Sequence, residues 1–133
     1  MFIRSNKNSY ATFDKFSIHL PNSTFASDVI IHNKKHYIKV NIDDEQKNRF
    51  HSIDKLGTTL GFYKNSIEAD SIIFIKLPYR YNRYELKWIE LTNSDCLKIG
   101  NQCDIIIETA GFYKNDDNIW SPCFKCISIH KKK

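Results

Sequence analysis

The feature that most restricts this chain is the rhythm of its apolar residues, which come in short runs rich in Ile, Val, Phe, Tyr and Trp, each broken by turn formers. Runs at 2–4, 16–20, 28–32, 36–42, 50–53, 71–77 and 84–91 read as β-strands, because β-branched and aromatic side chains suit a pleated, half-buried surface. Pro21 and Pro78 are each expected to end the strand before them, since proline cannot donate to a ladder. The clearest local unit is Val29-Ile30-Ile31-His32-Asn33-Lys34-Lys35-His36-Tyr37-Ile38-Lys39-Val40, two apolar runs about a polar turn, which predicts a β-hairpin. Seven such strands in 133 residues predict a mainly β fold with short helices: one domain, a seven-stranded open pseudobarrel, mostly antiparallel.

Helical signals are few. Asp43 or Asp44 can cap a brief turn ending at Arg49, and Thr58 or Thr59 a second one ending near Asn65. Residues 102–112 are expected to be a strand, because three consecutive Ile outweigh an acidic start and the Gly111 stop that would suit a helix. Gly-Phe-Tyr-Lys-Asn at 61–65 recurs at 111–115. The second copy runs into Asp116, Asp117 and Asn118 instead of an apolar strand, so the recurrence does not imply equivalent half-domains. Around the first copy, Phe62, Ile72, Phe74 and Trp88 are the expected core residues.

Twenty Lys and Arg against fifteen Asp and Glu give a formal charge of +5, which favours a polyanionic partner. No apolar run approaches the roughly 18 residues of a membrane span, and the N-terminus has no signal-peptide block, so a cytoplasmic protein away from membranes is expected. Cys123 and Cys126 have the two-residue spacer that zinc uses, but Cys96 and Cys103 are separated by six residues. Alternation of Phe124, Cys126 and Ser128 reads instead as a terminal strand with reduced thiols. His32 and His36 flank the hairpin turn and are expected to face each other across it. No phosphate-binding loop or nucleophile elbow is present, so no metal, cofactor or catalytic residue is assigned and the chain is read as a binding domain, not an enzyme. Glu85-Leu86-Lys87, with Asp70 upstream, matches the acid-x-Lys half of a metal-dependent nuclease site; an amphipathic strand with Glu85 and Lys87 on its wet face explains the same letters.

Polar, basic stretches remain. Arg4, Asn6, Lys7, Asn8 and Tyr10, with Lys15 beyond them, supply residue types that contact phosphates and base edges, as do Lys47, Asn48, Arg49 and His51 in a second expected loop. Solvated turns of no special role use the same residues. Lys64, Arg80 and Arg83 are further candidates for phosphate contact, the last two within an interleaved Tyr and Arg run suited to stacking.

In this order of parts the chain resembles the B3-type DNA-binding pseudobarrel of plant transcription factors and of bacterial restriction effector domains, including McrBC-like systems. Phe2-Ile3-Arg4, the polar loop and Phe16-Ser17-Ile18-His19-Leu20-Pro21 are similar to the family's first strand, N-terminal arm and second strand. Residues 36–42 followed by 43–49 resemble its strand and C-terminal arm, 57–77 its Gly, aromatic, polar-turn and apolar-strand order, and 84–91 its closing strand. Ala69-Asp70 stands where many members have Gly-Asp. The resemblance covers residues 1–91 and leaves 92–133 as a family-variable extension. It implies sequence-specific binding of double-stranded DNA by two arms in the major groove. The N-arm would carry Arg4, Asn6, Lys7, Asn8, Tyr10 and Lys15, and the C-arm Lys47, Asn48, Arg49 and His51. It also implies a targeting module of a restriction or defence system, whose nuclease or NTPase motor lies on another domain or subunit. The runner-up readings are a nuclease using Asp70, Glu85 and Lys87, and a protein-binding inhibitory module.

Overall fold

The computed structural model describes residues 5–7, 9–68, 71–80, 83–85, 87–89 and 97–131, with the backbone alone for 5–7, 83, 87–89 and 131. In chain order these give β1 (Ser5–Lys7), β2 (Tyr10–Phe25), β3 (Ile30–His32), β4 (Lys35–Asn41), helix α1 (Asp44–Gly57) and a 3-10 turn (Thr58–Leu60). There follow β5 (Ile67–Glu68), β6 (Ile72–Leu77), β7 (Tyr79–Arg80), β8 (Arg83–Tyr84), β9 (Lys87–Ile89), β10 (Gln102–Lys114), β11 (Trp120–Pro122) and β12 (Lys125–Lys131).

Buried and exposed side chains alternate along β2 and β10, which pair antiparallel over most of their length. On the other side β10 pairs with β12, and β4 pairs with β6, again antiparallel. Two junctions join these ladders into a ring. Thr24 and Phe25 of β2 lie opposite Asn41 and Val40 of β4, and Lys125 of β12 meets Lys76 of β6 in a parallel bridge. The ring is thin at both junctions and so only partly closed. The fold is therefore mainly β and mostly antiparallel, a pseudobarrel, and seven strands lie along its main path, β1-β2-β10-β12-β6-β4-β3. The segment set apart in the sequence as an extension contributes β10, β11 and β12, and β10 lies between β2 and β12.

The core fills the ring with Ile18, Leu20 and Phe25 from β2, Ile38 and Val40 from β4, Ile73, Ile75 and Leu77 from β6, and Ile105 and Ile107 from β10. Helix α1 adds Phe50, whose ring meets Phe124 edge-on at 5.1 Å, and Ile53.

Several sequence expectations hold. The hairpin of β3 and β4 turns on Asn33 and Lys34, both with positive φ (50° and 65°), the two-residue turn whose twist matches the strands. Residues 102–112 fall within a strand, and Pro78 directly follows β6.

Others are corrected. Residues 50–53 are not a strand but the middle of α1. Asp43 caps this helix by a reciprocal box, its Oδ1 accepting from Gln46 N at 2.9 Å while Gln46 Oε1 accepts from Asp43 N at 3.2 Å. Buried Phe50, Ile53, Asp54 and Gly57 then recur at helical spacing. Pro21 does not end its strand. Leu20 pairs with Ile105 and Ser23 with Cys103, so Pro21 and Asn22 together oppose Asp104 alone. Proline's missing N–H falls in that bulge, where no ladder bond is required, and Asn22, at φ 54°, donates its own N–H to Asp104 Oδ1 at 2.9 Å. His32 pairs with Lys35 and His36 with Ile31, so the two histidines point to opposite faces and do not oppose each other. Of the expected core residues, Phe62 is 81% exposed, and Ile72 and Phe74 are only half-buried, because β6 turns Ile73, Ile75 and Leu77 inward. The Trp88 side chain lies outside the described residues.

Asp43→Ala removes the acceptor for Gln46 N and should cost about 1 kcal/mol. Urea unfolding checks it: the midpoint falls while the slope stays unchanged.

Candidate nucleic-acid interface

The expected N-terminal loop is largely a hairpin. β1 pairs with the start of β2, Ser5 opposite Thr12, Asn6 opposite Ala11 and Lys7 opposite Tyr10, and Ser9 lies in the turn between them. Arg4 and Asn8 lie outside the described residues, and Asn6 and Lys7 are placed by backbone alone. Tyr10 is 63% exposed, and Lys15, also exposed, reaches Glu108 Oε2 at 3.9 Å.

The expected second loop is the helix α1. Asn48, Arg49 and His51 are exposed on it, whereas Lys47 is half-buried and bound to Asp44 at 3.0 Å. Lys64 is exposed, Arg80 pairs with Glu85 at 3.6 Å, and Arg83 is placed by backbone alone. Beside Arg80, the Tyr79 ring stacks on His36 at 3.9 Å and meets Tyr84 at 4.9 Å.

One corner of the barrel holds the hairpin and the helix together. The Lys114 amide at the end of β10 donates to Ser9 O in the hairpin turn at 2.8 Å. Lys114 lies opposite Trp120 of β11, with its Nζ 5.6 Å from the centre of the Trp120 ring. Trp120 is clasped by the segment after the 3-10 turn: its N–H donates to Phe62 O and its carbonyl accepts from Lys64 N, each at 2.8 Å. Between these bonds, Tyr63 turns inward and donates its hydroxyl to Asp54 Oδ1 of α1 at 2.6 Å. Asp54 is buried and also accepts from Ser66 N at 3.0 Å and Ser66 Oγ at 2.9 Å. Gly57 is needed where the helix meets this loop, because a Cβ there would run into the Tyr63 ring. Burial above all, then the hydrogen bond to Asp54 and its charge, push the Tyr63 hydroxyl well above the ordinary tyrosine range. Beside this cluster, His51, Asp54, Lys55, Thr58, Asn65 and Ile67 line an open cleft of about 470 Å³.

No family model, curated protein or solved structure matches the chain.

Sequence reading identified the exposed basic residues of this corner but missed Asp54, Ser66 and Trp120, which anchor it. The only local signal was the helical spacing of Phe50, Ile53, Asp54 and Gly57. The two Gly-Phe-Tyr-Lys-Asn copies meet at Trp120 in opposite senses. Tyr63 is turned in and Phe62 out, whereas in β10 Phe112 is buried and Tyr113 is 40% exposed. Gly61, at φ 138°, supplies the backbone turn that inverts the first copy.

Of the nuclease candidates, Asp70 lies outside the described residues, Lys87 is placed by backbone alone in β9, and Glu85 is bound to Arg80. Cys103 and Cys126 are buried and Cys123 is exposed, while Cys96 lies outside the described residues. Among the described residues no three His, Cys, Asp or Glu side chains cluster as metal ligands, and no helix is long and apolar enough to cross a membrane. Burial pushes the Cys126 thiol up to about 12.

Both raised groups favour their neutral forms in the folded protein, so their stabilisation is complete at neutral pH and is lost in alkali. For Cys126 the window opens near its ordinary 9.0 and closes at about 12; for Tyr63 it opens near 10.0 and extends upward. Urea unfolding measured at rising pH should show stability falling from about pH 9. The decline should be shallower between pH 9 and 12 in Cys126→Ala.

Proposed function

We propose that the protein binds double-stranded DNA sequence-specifically, with the β1–β2 hairpin as one arm and the outer face of α1 as the other, both laid in the major groove. The observation that carries this reading is the common anchor. The hairpin turn and the helix are tied through Lys114, Trp120, Tyr63 and Asp54 to a single corner, while Tyr10, Asn48, Arg49 and His51 stay exposed. Two arms fixed to one rigid support can hold a constant separation, which a groove-spanning reader requires.

The helical second arm suits the task. Asn48, His51, Ser52 and Lys55 recur at three- and four-residue spacing, so their exposed side chains share one face. A major groove admits a helix, Asn pairs with adenine edges, and Arg and Lys bind guanine or phosphate. The net charge of +5 supplies the non-specific attraction. The B3-type resemblance places two arms in the same order along the chain, and by that resemblance the module directs a restriction or defence system whose nuclease or motor is carried elsewhere.

Arg49→Ala and Lys7→Ala should each weaken duplex binding and reduce the slope of log affinity against log salt by about 0.9. Titration of a labelled duplex library at several salt concentrations measures both quantities, and selection from random duplexes reads the target sequence. Absence of duplex binding at low salt overturns the proposal. Plasmid cleavage with Mg²⁺ that Glu85→Ala abolishes would replace it with the nuclease.

A further inference from the structure

The outer face of the sheet next to the hairpin carries aromatic rings beyond Tyr10 that neither the core nor the two arms use. Tyr10 and Tyr113 are direct cross-strand partners, 63% and 40% exposed. Partners in a ladder point to the same side, and the neighbouring pair, Ala11 and Phe112, is buried, so both tyrosines face outward. Across the ring the outer face continues through Tyr37 opposite Lys76 and Lys76 opposite Lys125. There the Tyr37 ring lies nearly parallel to Phe74, 4.6 Å between centroids at 18°.

The segment after β11 joins these two halves: Cys123 N donates to Gly111 O of β10 at 3.2 Å, and the next residue, Phe124, accepts through its carbonyl from Lys76 N of β6 at 2.8 Å. Charge on the surface is uneven. Lys15 and Lys39 are held by Glu108 at 3.9 Å and Glu68 at 3.4 Å, but among the described residues no carboxylate forms an ion pair with Lys35, Lys76 or Lys125, all three exposed, and Glu108, the cross-strand partner of Lys125, is directed to Lys15.

Outward tyrosines flanked by lysines that form no ion pair among the described residues complement a polyanion that also presents flat apolar rings. A duplex hides its rings in its own stack, whereas an unpaired strand can lay bases on tyrosine and phosphates on lysine. We propose that this face binds single-stranded DNA, with bases stacked on Tyr10, Tyr113 and Tyr37 and phosphates held by Lys35, Lys76 and Lys125. The choice of DNA over RNA rests on the duplex-binding reading above, but the face and the form of DNA are different, and Tyr10 alone belongs to both.

Anisotropy of a fluorescein-labelled oligothymidylate of about 15 nucleotides, at low salt, tests the proposal on the full chain. Binding is expected. Tyr113→Ala and Tyr10→Ala should each weaken it about fivefold or more, and Lys76→Glu should weaken it and flatten its salt dependence. All three positions are exposed, so unchanged thermal melting by circular dichroism is the control for folding. Tyr113→Ala, which lies on neither arm, should leave duplex affinity in place, whereas Arg49→Ala should reduce duplex binding and spare the oligothymidylate. Failure of the arms and failure of this face are thereby read separately. No binding to the oligothymidylate, binding indifferent to all three variants, or tighter binding to oligouridylate of equal length overturns the proposal.

Discussion

The pairing of β2 with β10 is the constraint on which the rest of the molecule depends. It joins segments 82 positions apart at the Asn22–Asp104 contact and runs from Gln102 opposite Thr24 to Tyr113 opposite Tyr10. One end of β2 delivers Thr24 and Phe25 to β4 and closes the ring; the other carries the β1 hairpin. Chain entropy must be lost before such distant contacts return any stabilisation, which makes this a slow-folding topology. Its register is secured by the alternation that buries Ile18, Leu20, Ile105 and Ile107, since a slip of one residue would turn them all to solvent.

Asp54 performs a second, more local task. A carboxylate on the inner side of a helix is costly unless its oxygens are satisfied, and here Tyr63 and Ser66 satisfy them. The requirement works in both directions, because the loop after the 3-10 turn gains a fixed position from the acceptor it satisfies. Tyr63, once turned in, leaves the Phe62 carbonyl and the Lys64 amide to clasp Trp120, so one buried acceptor sets the path from helix to sheet edge. That explains why Phe62, a large apolar residue, is left facing solvent.

What the sequence revealed and what it hid divide along the same physical line. The β3–β4 hairpin was legible because Asn33 and Lys34 specify the turn within four residues. The strand at Gln102–Lys114 was legible because three successive Ile outweigh a helix-like start and stop. The start of helix α1 was legible in its Asp43 cap, but its second half was hidden because Phe50-His51-Ser52-Ile53 looks like a short apolar run until Asp54 and Gly57 are counted with it. The passage of β2 through Pro21 was invisible in principle: a bulge is a relation to Asp104, not a property of Pro21. Residue types at the candidate site could be read locally, since Arg49 and Tyr10 owe their exposure to nearby pattern. Their common support could not, because Asp54, Ser66, Trp120 and Lys114 meet only after the ring has formed.

The same geometry gives the basic and aromatic residues two different outlets. On α1, Asn48 and Arg49 project from a helix, a shape that enters a groove and reads edges. On the ring, Tyr10, Tyr113 and Tyr37 project from strands, whose flat spacing suits rings that must lie face to face. Neither surface can substitute for the other, because a groove admits a helix or a two-stranded hairpin but not the face of a wider sheet, and a single helix turn is too curved for consecutive bases. The two surfaces share Trp120 and the end of β10, where Lys114 lies opposite Trp120 beside the exposed Tyr113. On the two proposals taken together, a strand leaving a duplex held by the hairpin would meet the tyrosine face next.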